Sequence, residues 1–383
     1  MKRLLLLLLS LMTLGACAPA RAAETMTLFA VNVGKADALL LQCGETTYLI
    51  DAGSAESWGE LSRALRMLGV ERLDGVIVTH TDKDHIGGVP MLAASDVEVG
   101  AWYASRYFAD VKEKAHPVLL AARSRGQEVV WLSDGDSLPL GGGTLTVLAP
   151  AAYSDEENDN SLVLLAEGAG GRMLLMGDME LTGEQALLER HPDLPRCQVL
   201  KVAHHGGADA TSKALLSLVK PQVAVISTST EARPETPAQT VLWNLAKKGV
   251  SVGVTQDCGA GVLVTLENGL ASMELTDWAA LPEPVAGIRL TAKDAKNDTV
   301  TLVNEGGQPV DLSGWYLRSE RGGETYVFPA GTTLSPGGTL TLGTLTTKTA
   351  TDLLWQEKNV WHSKKDDAAL LFDPYGRAMD TLN

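Results

Sequence analysis

The sequence is poor in aromatic residues, in cysteine and in basic charge. Of its 383 residues, 5% are aromatic and four are cysteines, and 32 Lys and Arg stand against 47 Asp and Glu. The resulting formal charge of −15 gives no long-range attraction to nucleic acid and opposes its approach at low salt. If the substrate is a polyanion, local cations or bound metal must therefore attract it.

The few cysteines limit the chemistry that thiols can supply. None of them has a CxxC spacing, which argues against thiolate ligation of a metal. Cys43, Cys197 and Cys258 permit one disulfide with one thiol left over in an oxidising location. The alternative is that all three are small buried apolar side chains.

Long hydrophobic runs are also scarce, and the one at the start of the chain lies between two basic residues and a cysteine. Lys2 and Arg3 precede an apolar run at 4–11, and residues 14–17 (LGAC) form a small-residue cleavage site that ends in cysteine. Residues 1–17 are thus typical of a bacterial lipoprotein signal, after which Cys17 carries the lipid. The alternative, a membrane-spanning anchor, needs about 20 apolar residues. We expect an exported lipoprotein on the extracytoplasmic face of the cell membrane, with residues 18–25 as a tether.

Length and periodicity predict two regions. From 26 to 279, which we call the N-terminal region, short strands alternate with helical periodicity at 58–68, 181–190, 211–218 and 238–248. This pattern favours an α/β fold with two facing sheets and helices outside. A proline-containing linker at 280–284 precedes residues 285–383, the tail region, where short alternating segments between turns predict a small all-β sandwich.

One loop concentrates possible metal ligands. Residues 80–85 (HTDKDH) follow the apolar run 76–78 and place His80, Asp82, Asp84 and His85 within six positions. Such side chains are costly to bury unpaired, whereas a divalent cation makes their convergence favourable. The sequence therefore predicts a metal site at this strand end.

Two downstream positions follow apolar runs in the same way. Asp178 comes after 174–176, and His204 with His205 comes after 199–203. We expect Asp178 and His204 to complete the ligand set, although an aspartate after glycine is by itself more often a turn or a helix cap. His205 either donates a proton to the leaving group or packs behind His204. Asp84 either positions the attacking water or holds a second metal.

These motifs resemble the metallo-β-lactamase superfamily, and more narrowly the extracytoplasmic hydrolase domain of ComEC-type DNA-uptake proteins. Residues 29–38, 49–53 and 158–164 are similar to further segments of that branch. The resemblance covers 26–279 and implies an αββα sandwich that holds one or two divalent metals. The carboxylates shift the preference from zinc toward manganese, and both Zn²⁺ and Mn²⁺ suit the site.

The chain departs from the usual family pattern at several positions. Asp82 stands where many members have His, although the ComEC-type branch commonly has Asp. In the first turn, Asn32, Lys35 and Ala36 replace the usual Asp, Gln and Gly. Thr236 precedes Pro237 where the family usually carries His, which predicts a second metal that is weakly held or completed by water.

The tail region has a resemblance of its own. Residues 310–318 and 328–337 are similar to the lamin-tail domain, which implies an immunoglobulin-like sandwich over 285–383. We expect Trp315 to pack in its core. The tail carries no cluster of catalytic residue types, so we assign it a binding or spacing role.

Three functions compete. The favoured one is a lipid-anchored, metal-dependent phosphodiesterase or nuclease that cleaves extracellular DNA by metal-assisted hydrolysis, with Asp84 and His205 as its catalytic side chains. The second is a hydrolase of the same fold that acts on a lactone, a β-lactam or a cell-wall phosphodiester. The third is a surface binding module without catalysis.

Overall fold

The computed structural model describes residues 25–108 and 116–383. The predicted signal peptide and its lipidated residue, Cys17, lie outside the described residues. Among the helices in the described ranges, none has the length and apolar character needed to cross a membrane.

Strands and helices alternate along the N-terminal region. Its described helices are α1 (Trp58–Met67), α2 (Lys83–Ile86), α3 (Val89–Ala94), α4 (Pro117–Ser124), α5 (Leu181–Arg190), α6 (Lys213–Val219) and α7 (Gln239–Lys247). Its described strands are β1 (Thr25–Val31), β2 (Leu39–Cys43), β3 (Thr46–Ile50), β4 (Arg72–Leu73), β5 (Gly75–Val78), β6 (Glu98–Val99), β7 (Trp102–Ser105), β8 (Val129–Leu132), β9 (Ser137–Leu140), β10 (Gly143–Ala149), β11 (Val163–Gly168), β12 (Gly171–Leu175), β13 (Val199–Lys201), β14 (Val223–Ile226), β15 (Ser251–Val254), β16 (Gly261–Glu267) and β17 (Leu270–Thr276).

These strands form two large mixed sheets. The first has the order β17-β16-β1-β2-β3-β5-β7-β8 and the second the order β15-β14-β13-β12-β11-β10-β9. In the first sheet, β3, β5, β7 and β8 are parallel neighbours, and in the second β12, β13, β14 and β15 are.

Alternation of side chains along each strand builds the four layers. On β1, Leu28 and Ala30 pack between the two sheets, whereas Phe29 and Val31 pack in a separate core with helices α1, α3 and α4. On β11, Leu164 faces the inter-sheet core, while Val163 and Leu165 pack with helices α5, α6 and α7. The arrangement is an αββα sandwich, which confirms the predicted fold class. Cys43 and Cys197 are buried in two different cores.

Strand ends gather at one edge of the sandwich. Because β12, β13 and β14 are parallel neighbours, their carboxyl ends lie side by side. The turn after β5 joins them from the facing sheet, since Leu162 N donates to Thr79 O at 3.0 Å. His204 N donates to Gly177 O at 3.2 Å and ties the ends of β12 and β13 together. This edge carries the predicted ligands.

The tail region is all-β in the described residues. Its strands are β18 (Ile288–Asp294), β19 (Thr299–Asn304), β20 (Val310–Asp311), β21 (Tyr316–Ser319), β22 (Thr325–Val327), β23 (Thr333–Leu334), β24 (Thr339–Thr344), β25 (Leu353–Trp355), β26 (Ala369–Phe372) and β27 (Ala378–Leu382). Two four-stranded sheets, β18-β19-β24-β25 and β22-β21-β26-β27, make up most of it. Trp315 is 3% exposed and lies in their shared core, as predicted.

The two regions contact each other through helix α1. Ser62 Oγ donates to Pro374 O at 2.7 Å, and Arg63 Nε donates to Tyr375 O at 2.7 Å. Gly59 permits this approach, because a Cβ at that position would lie 2.7 Å from the hydroxyl of Tyr316. Tyr316 itself belongs to the core on the helix side of the first sheet. The tail thus packs directly on the outer helix layer of the sandwich.

Candidate metal centre

Asp51 organises the turn that carries the first cluster. It follows β3 with a φ of 59°, a left-handed conformation that Asp adopts more readily than most residues. Its carboxylate accepts hydrogen bonds from Thr79 N at 2.8 Å and Thr79 Oγ1 at 2.7 Å. Its Oδ2 also lies 2.7 Å from His85 Nδ1. This contact orients the imidazole so that Nε2 faces the strand-end edge.

Four buried side chains converge at this edge. His85 Nε2 and His205 Nε2 each lie 3.1 Å from Asp178 Oδ2. The ring of His80 stands next to that of His85, with 4.1 Å between centroids. The three imidazoles are fully buried, and Asp178 is 1% exposed. Three separate segments of the chain therefore contribute to one cluster.

The facing atoms of this cluster lack hydrogen-bond partners. Among residues 25–108 and 116–383, no atom is hydrogen-bonded to the Nε2 atoms of His80, His85 and His205 or to Oδ1 of Asp178. Buried polar atoms are rarely left in this state, since desolvation without a partner is costly. A divalent cation would satisfy all of them, so these residues fit a metal.

Several overlapping ligand sets can be drawn from the cluster. His80, His85 and Asp178 form one set, and Asp84, His85 and His205 form a second. Asp37 takes part in two more, one with Asp178 and His205 and one with Asp51 and His85. In each set the possible ligand atoms lie within 4.8 Å of one another. The imidazole and carboxylate donors suit zinc and manganese alike.

Burial and neighbouring charges shift the pKa values of the three histidines in different directions. Burial, assisted by the neighbouring His85, lowers the pKa of His80 to about 3, so its imidazole is neutral, as metal ligation requires. Burial alone would also lower the pKa of His85, but Asp178 and Asp51 outweigh it and raise that pKa well above 6.5. Asp178 likewise raises the pKa of His205 against the effect of burial. A bound cation would displace these protons.

The other two predicted carboxylates lie at the rim. Asp84 Oδ2 contacts Lys35 Nζ and lies 3.4 Å from His205 Nε2. The Asp82 side chain is half exposed, with Oδ2 3.8 Å from His80 Nε2. Both therefore remain accessible from solvent while facing the buried cluster.

The structure distributes the histidine pair differently from the sequence-based expectation. His205, expected to be a proton donor or a packing residue, points into the cluster. His204, expected to be a ligand, lies outside this cluster, with its Nδ1 3.0 Å from Asp209 and 3.6 Å from Glu180. These three residues form a further set of possible metal ligands. Both histidines have positive φ, 46° and 52°, and Gly206 follows with 78°. This tight left-handed turn directs the two consecutive side chains to different sides.

His205 is held in its orientation by the backbone. Its Nδ1 lies 2.8 Å from the carbonyl of Ser227, at the end of β14. A proton on Nδ1, donated to that carbonyl, leaves Nε2 free to act as a ligand. Thr236, which stands at the usual histidine position of the family, instead joins its hydroxyl to Thr228 Oγ1 at 2.6 Å and donates to Arg233 O at 3.1 Å.

A buried ion pair that the sequence patterns did not predict lies behind the cluster. Lys201 Nζ donates to Asp37 Oδ2 at 2.9 Å and to Val202 O at 3.0 Å. Asp37 also lies within ligand distance of Asp178 and His205. The available signal was a charged residue inside each of two apolar stretches, 36–38 and 199–203, because such positions need a buried partner.

Imidazoles and carboxylates that converge at the strand ends of an αββα sandwich define a candidate metal centre. Residues 31–230 match the profile of the Metallo-beta-lactamase superfamily, and residues 287–383 match that of the Lamin Tail Domain. This chain belongs to the metallo-β-lactamase superfamily and carries a lamin-tail domain, as the resemblances predicted.

Its curated relatives include competence proteins of the ComEC type. ComE operon protein 3 of Bacillus subtilis is 30% identical over 250 residues, which cover 60% of this chain and 32% of that protein. Competence protein ComA of Neisseria gonorrhoeae is 26% identical over 231 residues, which cover 60% of this chain and 31% of that protein. The chain thus spans about a third of the length of these relatives.

Solved structures with a similar fold include subclass B3 metallo-β-lactamase MEM-A1 from a soil metagenome library. It is 17% identical, with a TM-score of 0.38, and the match covers 59% of this chain and 96% of that one. YhfI of Bacillus subtilis, a metallo-β-lactamase fold protein, is 13% identical with a TM-score of 0.38, and the match covers 66% and 100% of the two chains.

Proposed function

We propose that this protein is an exported, lipid-anchored, metal-dependent phosphodiesterase that acts on extracellular DNA. The observation that carries the proposal is the convergence of four buried atoms that have no hydrogen-bond partner within the described residues, the Nε2 atoms of His80, His85 and His205 and Oδ1 of Asp178. The Nε2 atoms of His85 and His205 lie 3.1 Å from the other oxygen of Asp178. Such an arrangement is costly in a structural core and favourable around a divalent cation.

The side chains have separate roles in this proposal. His80, His85 and Asp178 hold the metal, and His205 lies beside them with its Nε2 3.1 Å from Asp178 Oδ2. When bound, a divalent cation polarises a phosphoryl oxygen and lowers the pKa of water, which favours hydrolysis near neutral pH. Asp84, partly exposed at the rim, accepts a hydrogen bond from the attacking water and orients it.

A proton must also reach the leaving group, and His204 is placed for that task. Its side chain is 11% exposed, and its Nδ1 faces Asp209. Asp209 orients the ring through this nitrogen, so that the other nitrogen can face the leaving group. In this proposal His204 serves the leaving group and His205 lies beside the metal.

The choice of DNA as substrate rests on the relatives. One of them is named Competence protein ComA and another ComE operon protein 3. A third, of Haemophilus influenzae, is named Recombination protein 2 and is 28% identical over 202 residues. The acidic charge of the chain opposes DNA at long range, so the proposal assigns attraction to the metal centre itself.

Export and lipid attachment rest on the pattern of residues 2–17. Growth of the expressing bacterium with labelled palmitate should label the wild-type chain. Replacement of the acceptor, Cys17→Ser, should abolish the label. Equal labelling of both chains would contradict the anchor without affecting the catalytic proposal.

A cleavage assay tests the reaction. The full chain, purified in detergent and loaded with Mn²⁺ or Zn²⁺, should cleave plasmid DNA and bis-p-nitrophenyl phosphate. His80→Ala should abolish cleavage, whereas His362→Ala in the tail should retain it. Hydrolysis of a lactone or β-lactam alone would favour the second function considered above. Metal uptake without turnover of any ester would favour a binding module.

A further inference from the structure

Lys35 brings a positive charge to the candidate metal centre from the first turn of the chain. Its Nζ contacts Asp84 Oδ2, and the side chains are 19% and 20% exposed. The turn is fixed against the metal-binding loop, because Asp37 N donates to Asp84 O at 3.1 Å and Gly53 N donates to Asp37 O at 2.7 Å. Lys35 is therefore held beside this carboxylate by the backbone around it.

The contact affects the ligand set that contains Asp84. Asp84 belongs to the set that includes His85 and His205, and its Oδ2 is the oxygen that faces His205 Nε2 at 3.4 Å. Within the described residues, Lys35 contacts no atom of the set formed by His80, His85 and Asp178. The ammonium group of Lys35 thus lies beside Asp84, the carboxylate that a second cation would use as a ligand.

Lys35 also places a positive charge at the rim of the centre. Its ammonium group contacts Asp84, so a second divalent ion on that carboxylate would meet a like charge at close range in a largely buried site, which is unfavourable. The nearby Asp37 is already paired with Lys201.

We propose that Lys35 takes the place of a second divalent cation, so that the centre holds a single metal ion on His80, His85 and Asp178. This inference rests on the metal site of the proposed function and concerns its occupancy. The lysine neutralises Asp84 and excludes a second ion by like-charge repulsion. At contact distance this repulsion exceeds the ~1.4 kcal/mol that corresponds to a tenfold change in affinity.

Metal stoichiometry tests the inference directly. The full-length protein is dialysed to equilibrium against Mn²⁺ or Zn²⁺, and bound metal is counted by elemental analysis over a range of free concentrations. The wild type should bind one equivalent tightly. Lys35→Met, which removes the charge and adds no oxygen or nitrogen ligand, should bind a second equivalent about tenfold more tightly or better. Lys35→Gln should behave in the same way, and circular dichroism checks the fold of each variant.

Two controls isolate the charge. Lys35→Arg keeps a cation beside Asp84 and should bind one equivalent, as the wild type does. Lys83→Met removes an exposed lysine from the metal-binding turn itself and should also leave the count at one. Two equivalents in the wild type, or one equivalent in both neutral Lys35 variants, would overturn the inference.

The same samples separate this inference from the proposed function. One bound ion in the wild type, two in Lys35→Met and no cleavage of bis-p-nitrophenyl phosphate would refute the phosphodiesterase and support the role of Lys35. Two bound ions in the wild type with full cleavage would support the phosphodiesterase and refute the role of Lys35.

Discussion

The two regions of the chain bury aspartates in opposite ways. In the N-terminal region, Asp178 has one oxygen without a hydrogen-bond partner in the described chain and another that faces two imidazole nitrogens. In the tail, Asp298 is equally buried, yet its carboxylate accepts four hydrogen bonds. Their donors are Thr344 Oγ1 at 2.6 Å, Thr346 Oγ1 at 3.0 Å, Val360 N at 3.0 Å and Trp361 N at 2.9 Å.

This difference separates two functions of a buried acid. Asp298 ties β24 to the segment that follows β25, and each of its bonds fixes part of the tail fold. Asp178 leaves one oxygen without a hydrogen bond in the described residues, and its side chain lies within one possible ligand set with His80 and His85. A buried carboxylate whose oxygens all accept hydrogen bonds is therefore a structural element, which we call saturated. One with an oxygen left unpaired marks a ligand position.

The largest expected effect comes from Asp178→Asn. The amide keeps the shape of the side chain but removes the charge that attracts a cation, and the Lewis-acid contribution of several kcal/mol should be lost. Cleavage of bis-p-nitrophenyl phosphate should therefore fall about a thousandfold. Elemental analysis should show loss of bound metal in parallel.

The matched control is Asp298→Asn, the same change at the saturated aspartate of the tail. It should retain both metal and cleavage. If Asp178→Asn kept its metal, or if the tail variant lost it, the distinction between the two aspartates would not hold.

The ligand types were predictable because strand ends bring them together. His80, Asp84, His85 and Asp178 each follow an apolar run, and the parallel order of strands places such ends along one edge. The choice between His204 and His205 was not predictable. It depends on three successive positive φ angles, which no local sequence pattern specifies.

Elements of the fold were predictable to a similar extent. The helical periodicity at 181–190 matches α5, whereas α3 and α4 were not expected, because both are short and have a proline in their first two positions. The stretch 97–103 holds two short strands, β6 and β7. Gly100 marks the division, since a Cβ there would lie 2.6 Å from Asp74 O.

A smaller effect is expected at the ion pair behind the metal centre. Lys201→Met leaves Asp37 charged and buried without its partner, and breaking such a pair should reduce the free energy of unfolding by about 3 kcal/mol. Because Asp37 lies beside Asp178 and His205, metal affinity should also fall about tenfold. Urea unfolding and equilibrium dialysis measure the two losses.

The double variant Lys201→Met with Asp37→Asn sharpens this test. It removes both charges together, so it should recover part of the stability that the single variant loses. If the double variant were no more stable than Lys201→Met, the loss of stability would not come from the unpaired charge of Asp37.

The smallest expected effect is structural and lies in the tail. Asp298→Ala leaves the buried amides of Val360 and Trp361 without their acceptor, which should lower the free energy of unfolding by about 2 kcal/mol. Asp298→Asn keeps one acceptor oxygen and should lose less. Calorimetry measures both, and elemental analysis should find metal content unchanged. Because the tail packs on helix α1, a loss of metal in Asp298→Ala would show that the two regions are coupled. If the free energy of unfolding falls and the metal content does not change, Asp298 stabilises the tail region alone.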